Sequence, residues 1–249
     1  MNVLFTICGR AGSKGIKNKN IRDFLGKPLP LYTLSAIRLM LDKCPEIIGD
    51  VVINTDSPEL IGIMTGSSLL PVQVIERRAE LGGDKIAKVD VILDCLKQMQ
   101  DKNNKEYDMV VDLDITSPLR TVDDIINLIE KKKETGCDVA FSVTDSRRNP
   151  YFNMVKKTEK GYKKVLEADF VTRQEAPEMF DMNASIYAYK PAYLETGKGV
   201  LDGYCEVIKM YDTGILDLDH ENDFELMEVI AKYLYEKYDR FAEIYKNIK

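Results

Sequence analysis

VLFTICGRAGSKG, at residues 3–15, joins a short apolar run to a loop that is rich in glycine and basic residues. The run Val3–Cys8 is mostly aliphatic, which is typical of a strand buried on both faces of a parallel sheet. Glycines directly after such a strand let backbone N–H groups approach an anion closely. The stretch therefore predicts a first β-strand that ends in a candidate anion-binding loop.

Short apolar runs continue to alternate with helical patterns over the first 145 residues. The predicted strands are Val3–Cys8, Asp50–Asn54, Val72–Ile75, Met109–Leu113 and Val139–Val143. The predicted helices lie near Pro30–Leu41, Pro58–Met64, Lys85–Gln100 and Val122–Glu134. This alternation is typical of right-handed crossovers, so the expected fold class is α/β, with a doubly wound, mostly parallel, Rossmann-like sheet. In such sheets ligands bind at the carboxyl ends of the strands.

The pattern changes after residue 143, although we expect residues 1–249 to form a single domain. Residues 145–190 contain short β-type pieces, Tyr151–Val155 and Ser185–Tyr189, between charged turns. We interpret them as a small β-rich excursion that packs on a partner subunit; an elaborate loop region is the alternative. A strand at Leu216–Leu218 and a long helix from about Asn222 to Tyr245 are predicted to complete the chain.

Composition excludes several classes of partner. The net charge of −6 and the pI near 5.1 argue against nucleic acid or an anionic membrane as the main partner. No apolar run approaches the roughly 20 residues that span a bilayer. The five cysteines are scattered and odd in number, which disfavours a disulfide framework or a zinc site. We therefore expect a cytoplasmic protein.

The glycine-rich loop is the strongest candidate for phosphate binding. Arg10, Lys14 and Lys19 add positive charge that suits a triphosphate. The spacing matches neither the Walker A loop nor the GxGxxG dinucleotide motif. The alternative is a flexible, solvated basic loop without a ligand.

Asp217 and Asp219 are the candidate metal ligands. Residues two apart on a strand point to the same side, so two carboxylates at a strand end converge on one point. Carboxylate oxygens suit Mg²⁺ shared with nucleotide phosphates. The alternative is a solvated acidic turn that precedes the last helix.

Five segments, taken in order, resemble motifs of the acylneuraminate cytidylyltransferases. They are residues 9–22 (GRAGSKGIKNKNIR), 76–84 (ERRAELGGD), 116–120 (TSPLR), 172–174 with 183–187 (TRQ and NASIY), and 216–219 (LDLD). The resemblance implies a nucleotidyltransferase fold, a homodimer, Mg²⁺ as cofactor and an acceptor site to which residues 145–190 contribute. It also implies transfer of CMP from CTP to the anomeric hydroxyl of a nine-carbon sugar acid, with release of pyrophosphate.

The resemblance also implies roles for individual residues. Those expected to bind the nucleotide are Arg10, Gly12, Ser13, Lys14, Lys19, Asn20, Arg77 and Lys88. Those expected to bind the sugar acid are Asp114, Thr116, Ser117, Arg173, Gln174, Asn183 and Tyr187. Arg173 suits a carboxylate, because a guanidinium binds it in a bidentate fork. Arg10, Lys14 and Asp217 are the expected catalytic residues, and Asp217 and Asp219 the metal ligands.

Two positions differ from the commonest family pattern. Asp114 replaces an amide, and Lys88 stands where sialic-acid enzymes often carry serine. Asp114 could accept hydrogen bonds from the sugar, approach the metal or serve structure. With residues 147–153 and 181–185, these differences resemble the branch that activates legionaminic acid. The alternatives are N-acetylneuraminate or pseudaminate as acceptor, then a CMP-Kdo synthetase or related NTP:sugar-phosphate enzyme, or a non-catalytic nucleotide-binding protein.

Overall fold

The computed structural model describes residues 1–12, 15–83, 86–170, 172–214, 218 and 220–249, with only the backbone of Arg173. The strands in the described residues are β1 Asn2–Cys8, β2 Asp23–Phe24, β3 Lys27–Pro28, β4 Ile48–Thr55, β5 Gln73–Glu76, β6 Met109–Leu113, β7 Val139–Asp145, β8 Val155–Thr158, β9 Gly161–Lys164, β10 Phe180–Tyr189 and β11 Cys205–Lys209. The α-helices are α1 Leu29–Lys43, α2 Pro58–Gly66, α3 Lys88–Asn103, α4 Val122–Thr135, α5 Pro191–Leu194, α6 Glu221–Lys237 and α7 Asp239–Asn247.

The central sheet has seven strands in the order β11-β7-β10-β6-β1-β4-β5. Strand β10 runs antiparallel to β6 and β7, and the other pairings are parallel. The carboxyl ends of β1, β4, β5 and β6 therefore meet at one edge of the sheet, and the amino end of β10 lies at the same edge. This topology confirms the predicted fold class, and every strand and helix predicted before residue 145 is present.

Both faces of the sheet are covered by helices. On β1, Phe5 packs into the core that contains residues of α1, α4, α6 and α7, while Leu4 packs into the core that contains residues of α3 and α5. Successive side chains of a strand point to opposite faces, so the continuous apolar run of β1 fills both cores. Among the described helices, none is long and apolar enough to cross a membrane.

The predicted excursion is shorter than expected. Strand β10 lies inside the sheet between β6 and β7, so only residues 146–179 leave it. The predicted strand Tyr151–Val155 is wrong, because residues 150–153 form a turn in which Tyr151 N donates to Asn149 Oδ1 at 2.9 Å. An asparagine that accepts from the backbone two residues later favours a turn over a strand. The exposed hairpin β8–β9 follows, and its predicted role in dimerisation stays a prediction.

The predicted single C-terminal helix is also wrong, because it breaks at Tyr238. This residue has an extended backbone, with φ −138° and ψ 115°, and it separates α6 from α7. The break turns α7 onto α1, where Ser35 Oγ donates to the carbonyl oxygen of Ile244 at 2.8 Å. The predicted strand Leu216–Leu218 lies outside the described residues except for Leu218.

Helix α4 begins with a complete capping box, which makes its stability testable. Asp124 N donates to Thr121 Oγ1 at 3.2 Å, and Thr121 N donates to Asp124 Oδ2 at 2.7 Å. Replacing Thr121 with Ala leaves the Asp124 N–H without its acceptor, so we expect the free energy of unfolding to fall by about 1–2 kcal/mol in urea denaturation. The control is Thr65→Ala, which removes an exposed hydroxyl within α2 and should change it by less than about 0.5 kcal/mol. Equal losses in the two variants would contradict the cap.

Candidate active site

A cleft opens at the carboxyl ends of the strands, beside the amino end of α3. It encloses about 990 Å³, part of it open to solvent. It is lined by Cys8, Arg10, Lys19, Asn20, Arg77, Leu81, Gly83, Ile86, Lys88, Val91, Asp114 and Thr116. An adjoining recess shares Arg10 and Asn20 and includes Gly12. The fold thus brings together six of the predicted nucleotide-binding residues and two of those predicted to bind the sugar acid.

The loop after β1 is held against its neighbours by close packing and hydrogen bonds. A Cβ atom at Gly9 would lie 2.7 Å from a methyl carbon of Leu60 and 2.9 Å from one of Ile115, so any larger residue would require these side chains to shift. Asn20 Nδ2 donates to the carbonyl oxygen of Arg10 at 3.1 Å. Ala11 N donates to Asp56 Oδ1 at 2.6 Å. The predicted residues Ser13 and Lys14 lie outside the described part of the chain.

Arg77 is fixed in the cleft by neutral partners. Its Nε donates to Asn54 Oδ1 at 2.7 Å, and its Nη2 donates to the carbonyl oxygen of Asn54 at 3.2 Å. Within the described ranges, no carboxylate oxygen lies within 4.0 Å of this guanidinium. The positive charge of Arg77 is therefore oriented by its surroundings without an opposing charge in contact.

Lys88, by contrast, pairs with two carboxylates of β6 and the residue that follows it. Its ammonium lies 2.8 Å from Asp112 Oδ2 and 2.9 Å from Asp114 Oδ2. Asp112 is fully buried, and Thr6 Oγ1 donates to its other oxygen at 2.8 Å. Burial alone would lower the pKa of Lys88, but the two carboxylates outweigh it and raise that pKa. Lys88 is therefore protonated at neutral pH, which does not suit a general base.

Asp114 is held ionised by its contacts. Its Oδ1 accepts hydrogen bonds from Thr116 N at 2.9 Å and from Thr116 Oγ1 at 2.7 Å. Burial would raise the pKa of this carboxyl, but Lys88 and Thr116 outweigh it and hold the pKa well below its usual range. Lys88 and Asp114, the two positions that differ from the common family pattern, are thus direct partners.

Arg120 was not predicted as a site residue, although it closes the TSPLR segment. Its guanidinium is 1% exposed and donates to the carbonyl oxygens of Asp114 and Ser185, to Ser185 Oγ and to Thr33 Oγ1. Burial lowers its pKa to about 10, so it stays charged at neutral pH. It joins the end of β6 to α1 and to the irregular part of β10, where Ala184 has φ +51°. Arg120 therefore holds in place the segments that form the walls of the cleft.

Two residues predicted to bind the sugar acid face a separate recess. Ser117 and Asn183 line a space of about 330 Å³ between β7, β10 and α6. Asn183 is 7% exposed. Its Oδ1 accepts a hydrogen bond from Ser142 Oγ at 2.6 Å, and its Nδ2 donates to Met210 Sδ at 3.3 Å. Ser117 Oγ bonds to Ser185 Oγ at 2.7 Å. These side chains are engaged with the protein and are not in the cleft.

The remaining predicted residues are dispersed. Tyr187 lies opposite Asp112 in the β10–β6 register and stacks with Tyr189 at a ring distance of 6.1 Å. Gln174 lies in an exposed turn next to Arg173, whose side chain is not described. The sugar-acid residues are therefore not gathered in one place, and their roles stay predictions.

The predicted metal ligands Asp217 and Asp219 lie outside the described residues. Leu218, between them, is buried, and its carbonyl oxygen accepts a hydrogen bond from Lys19 Nζ at 2.7 Å. Since Lys19 lines the cleft, this bond ties the segment to the site. In the part of the chain that the structure describes, no group of three or more His, Cys, Asp and Glu side chains is arranged to hold a metal.

Comparisons with known proteins agree with this geometry. The family model described as Cytidylyltransferase matches residues 4–238. Post-translational flagellin modification protein B of Campylobacter coli is 34% identical over 232 residues, 92% of this chain and 95% of that protein. CMP-N,N'-diacetyllegionaminic acid synthase of Campylobacter jejuni is 34% identical over 230 residues, 92% of this chain and 94% of that protein.

Among solved structures, CMP:2-keto-3-deoxy-manno-octonic acid synthetase complexed with CTP is similar to this chain. The TM-score is 0.65, at 13% sequence identity, and the match covers 94% of this chain and 99% of the other. At that identity the likeness concerns the fold alone.

The contacts of Arg120 make its contribution to stability testable. Arg120→Met leaves buried acceptors unpaired, so we expect the free energy of unfolding to fall by about 3 kcal/mol in urea denaturation. Arg120→Lys, which keeps the charge but loses the planar fork, should lose less. The control Arg38→Met removes a half-exposed guanidinium that pairs with Asp42 at 2.9 Å, and it should cost less than about 1 kcal/mol. Equal losses for Arg120→Met and Arg38→Met would contradict this assignment.

The lowered pKa of Asp114 predicts a dependence of stability on pH. A carboxyl with a lowered pKa in the folded state stabilises fully above its unfolded pKa, about 3.9, and loses that contribution as the pH falls towards the folded value. The difference in unfolding free energy between the wild type and Asp114→Asn should therefore be constant near neutral pH and shrink below about pH 4. Asp42→Asn, at an exposed ion pair, should show little difference at any pH. A difference in unfolding free energy between the wild type and Asp114→Asn that stays the same in acid would contradict this prediction.

Proposed function

The chain belongs to the cytidylyltransferase family, and on that premise we propose that it transfers CMP from CTP to a nine-carbon 2-keto sugar acid. The observation that carries the proposal is the cleft in which Arg77 and the loop after β1 face Lys88, Asp114 and Thr116. The relative named CMP-N,N'-diacetyllegionaminic acid synthase, at 34% identity, favours legionaminic acid as the acceptor. N-acetylneuraminic and pseudaminic acids are the nearest alternatives.

The proposed reaction is an in-line displacement. The anomeric hydroxyl oxygen of the sugar acid forms a bond to the α-phosphorus of CTP, the bond from that phosphorus to the pyrophosphate oxygen breaks, and the hydroxyl proton passes to solvent. Catalysis of this kind depends on positioning and on stabilising charge. Arg77, oriented by Asn54, supplies an unopposed positive charge to the nucleotide. Because Lys88 stays protonated, it does not remove the hydroxyl proton.

We propose Mg²⁺ as the cofactor, held by Asp217 and Asp219. Carboxylate oxygens are suitable ligands for this ion. The hydrogen bond from Lys19 to the carbonyl oxygen of Leu218 supports a position for this segment at the cleft. When bound, the ion would offset phosphate charge. The homodimer and the cytoplasmic location stay predictions.

Pyrophosphate release from CTP tests the proposal. With CTP and Mg²⁺, the protein should release pyrophosphate with one nine-carbon acid from a panel of N,N'-diacetyllegionaminic, pseudaminic, N-acetylneuraminic and Kdo acids, and we expect the first to be preferred. CTP binding without release across the whole panel would overturn the proposal in favour of a nucleotide-binding protein. A preference for Kdo would indicate a CMP-Kdo synthetase.

A matched pair of arginine variants adds a control to this assay. Arg77→Met should raise the KM for CTP by about 10- to 100-fold, because it removes a charged hydrogen-bonding group from the cleft. Arg78→Met should leave that KM within about twofold, since Arg78 is 55% exposed and pairs with Asp94 at 3.2 Å. Equal effects of the two substitutions would remove Arg77 from the nucleotide site.

A further inference from the structure

Two cations of the cleft have opposite electrostatic surroundings. Arg77 is held by the amide and carbonyl oxygens of Asn54, whereas Lys88 contacts both Asp112 and Asp114. One ammonium offsets one of the two carboxylates, and the buried guanidinium of Arg120 offsets the other, so no net positive charge is left at Lys88. A phosphate is therefore attracted to the surroundings of Arg77 and not to those of Lys88. The wall at Lys88 suits a neutral part of a substrate.

The Lys88 wall keeps hydrogen-bonding capacity for such a group. An ammonium has three N–H donors; the hydrogen bond to Asp114 Oδ2 occupies one of them, and Asp112 Oδ2 lies 2.8 Å away as an ion pair. The Lys88 side chain is 36% exposed and lines the cleft. Among the described residues it has no third partner, so one donor remains for a ligand.

Asp114 places an acceptor beside this donor. Its Oδ2 contacts Lys88, and its Oδ1 accepts from both the backbone N–H and the hydroxyl of Thr116. Because the Thr116 hydroxyl donates its proton to Asp114, the hydroxyl oxygen can act only as an acceptor for a ligand. One carboxylate thus orients a donor at Lys88 and an acceptor at Thr116, and both residues line the cleft.

The order of strands separates this wall from Arg77. Asp112 lies on β6, which pairs with β1 and β10, whereas Arg77 follows β5 at the end of the sheet. The guanidinium of Arg77 reaches back to Asn54 on β4, and two strand steps separate β4 from β6, roughly 10 Å at the usual spacing. A single small group cannot contact both strand ends. The Lys88 wall therefore belongs to the half of the site next to β10, away from Arg77.

We propose that Lys88 and Thr116 determine acceptor specificity by binding one neutral substituent of the sugar acid, an acylamino group, and that Asp114 positions them. The N–H of the acylamino group donates to Thr116 Oγ1, and its carbonyl oxygen accepts from Lys88 Nζ. Lys88 is then a residue of the acceptor site, in contrast to its predicted role in nucleotide binding. The inference rests on the proposed function, since it names what one wall of the same cleft recognises.

Steady-state kinetics with each substrate varied separately tests this assignment. Lys88→Met and Thr116→Val should each raise the KM for the sugar acid by about 10- to 100-fold and leave the Kd for CTP, measured by calorimetry without sugar, within about threefold. Thr116→Val removes only a hydroxyl, so it remains informative if Lys88→Met does not fold. The matched control is Lys105→Met, since Lys105 pairs with Asp50 at 2.8 Å and is 22% exposed at the opposite edge of the sheet. It should alter neither constant.

The ratio of kcat/KM for two acceptors shows whether these residues recognise the acylamino group or only support the structure. The wild type should prefer an acylamino acceptor to the corresponding nine-carbon acid with a hydroxyl in its place, and Lys88→Met and Thr116→Val should reduce that ratio about tenfold. Asp114→Asn should lower this selectivity ratio too. The double variant Lys88→Met/Asp114→Asn should lose less selectivity than the two single variants lose together, when each loss is expressed as a free energy. An unchanged ratio, or a rise in the Kd for CTP that exceeds the rise in the acceptor KM, would overturn the inference alone. A wild type that turns over no acid overturns the proposed function and this inference with it.

Discussion

The ion pair cluster of Lys88, Asp112 and Asp114 is the interaction on which the site depends. Asp112 is fully buried, and a buried charge is costly unless it is paired and hydrogen-bonded; here each carboxylate has a second partner, Thr6 for Asp112 and Thr116 for Asp114. Because Lys88 is the first residue of α3, the same contacts fix the amino end of that helix against the end of β6. The cleft between them therefore has a defined width before any ligand binds.

Arg120 provides a second set of fixed contacts, beneath the cleft. The residues that accept its hydrogen bonds lie 87 positions before it (Thr33) and 65 positions after it (Ser185), as well as at the end of β6. They include the backbone next to Ala184, where β10 departs from regular pairing. Irregular strands beside a site need such support, since the freed carbonyl oxygens must find donors. The guanidinium supplies several donors from one rigid group, which explains an arginine at a fully buried position.

The sequence predicts most of the fold but less of the site. Buried strands such as Met109–Leu113 are evident because their apolar runs are continuous. The place of β10 is not evident, because local pattern does not say whether a strand pairs inside or outside the main sheet. The break at Tyr238 carries no proline or glycine signal. Glycines and basic residues identified the loop after β1, yet whether Asn183 faces the cleft or bonds inward to Met210 depends on packing between distant segments.

The groups that contact each cation of the cleft explain how an acidic protein can discriminate between two anionic substrates in one cleft. The chain carries a net charge of −6, so attraction of a nucleotide has to come from local cations. Arg77 contributes, because its partners are neutral and its charge is not offset by contact. Lys88 does not, because its charge is already offset by two carboxylates, and what remains is a directed N–H donor. A cationic side chain can therefore serve affinity or selectivity, and the presence or absence of carboxylates in contact with it decides which.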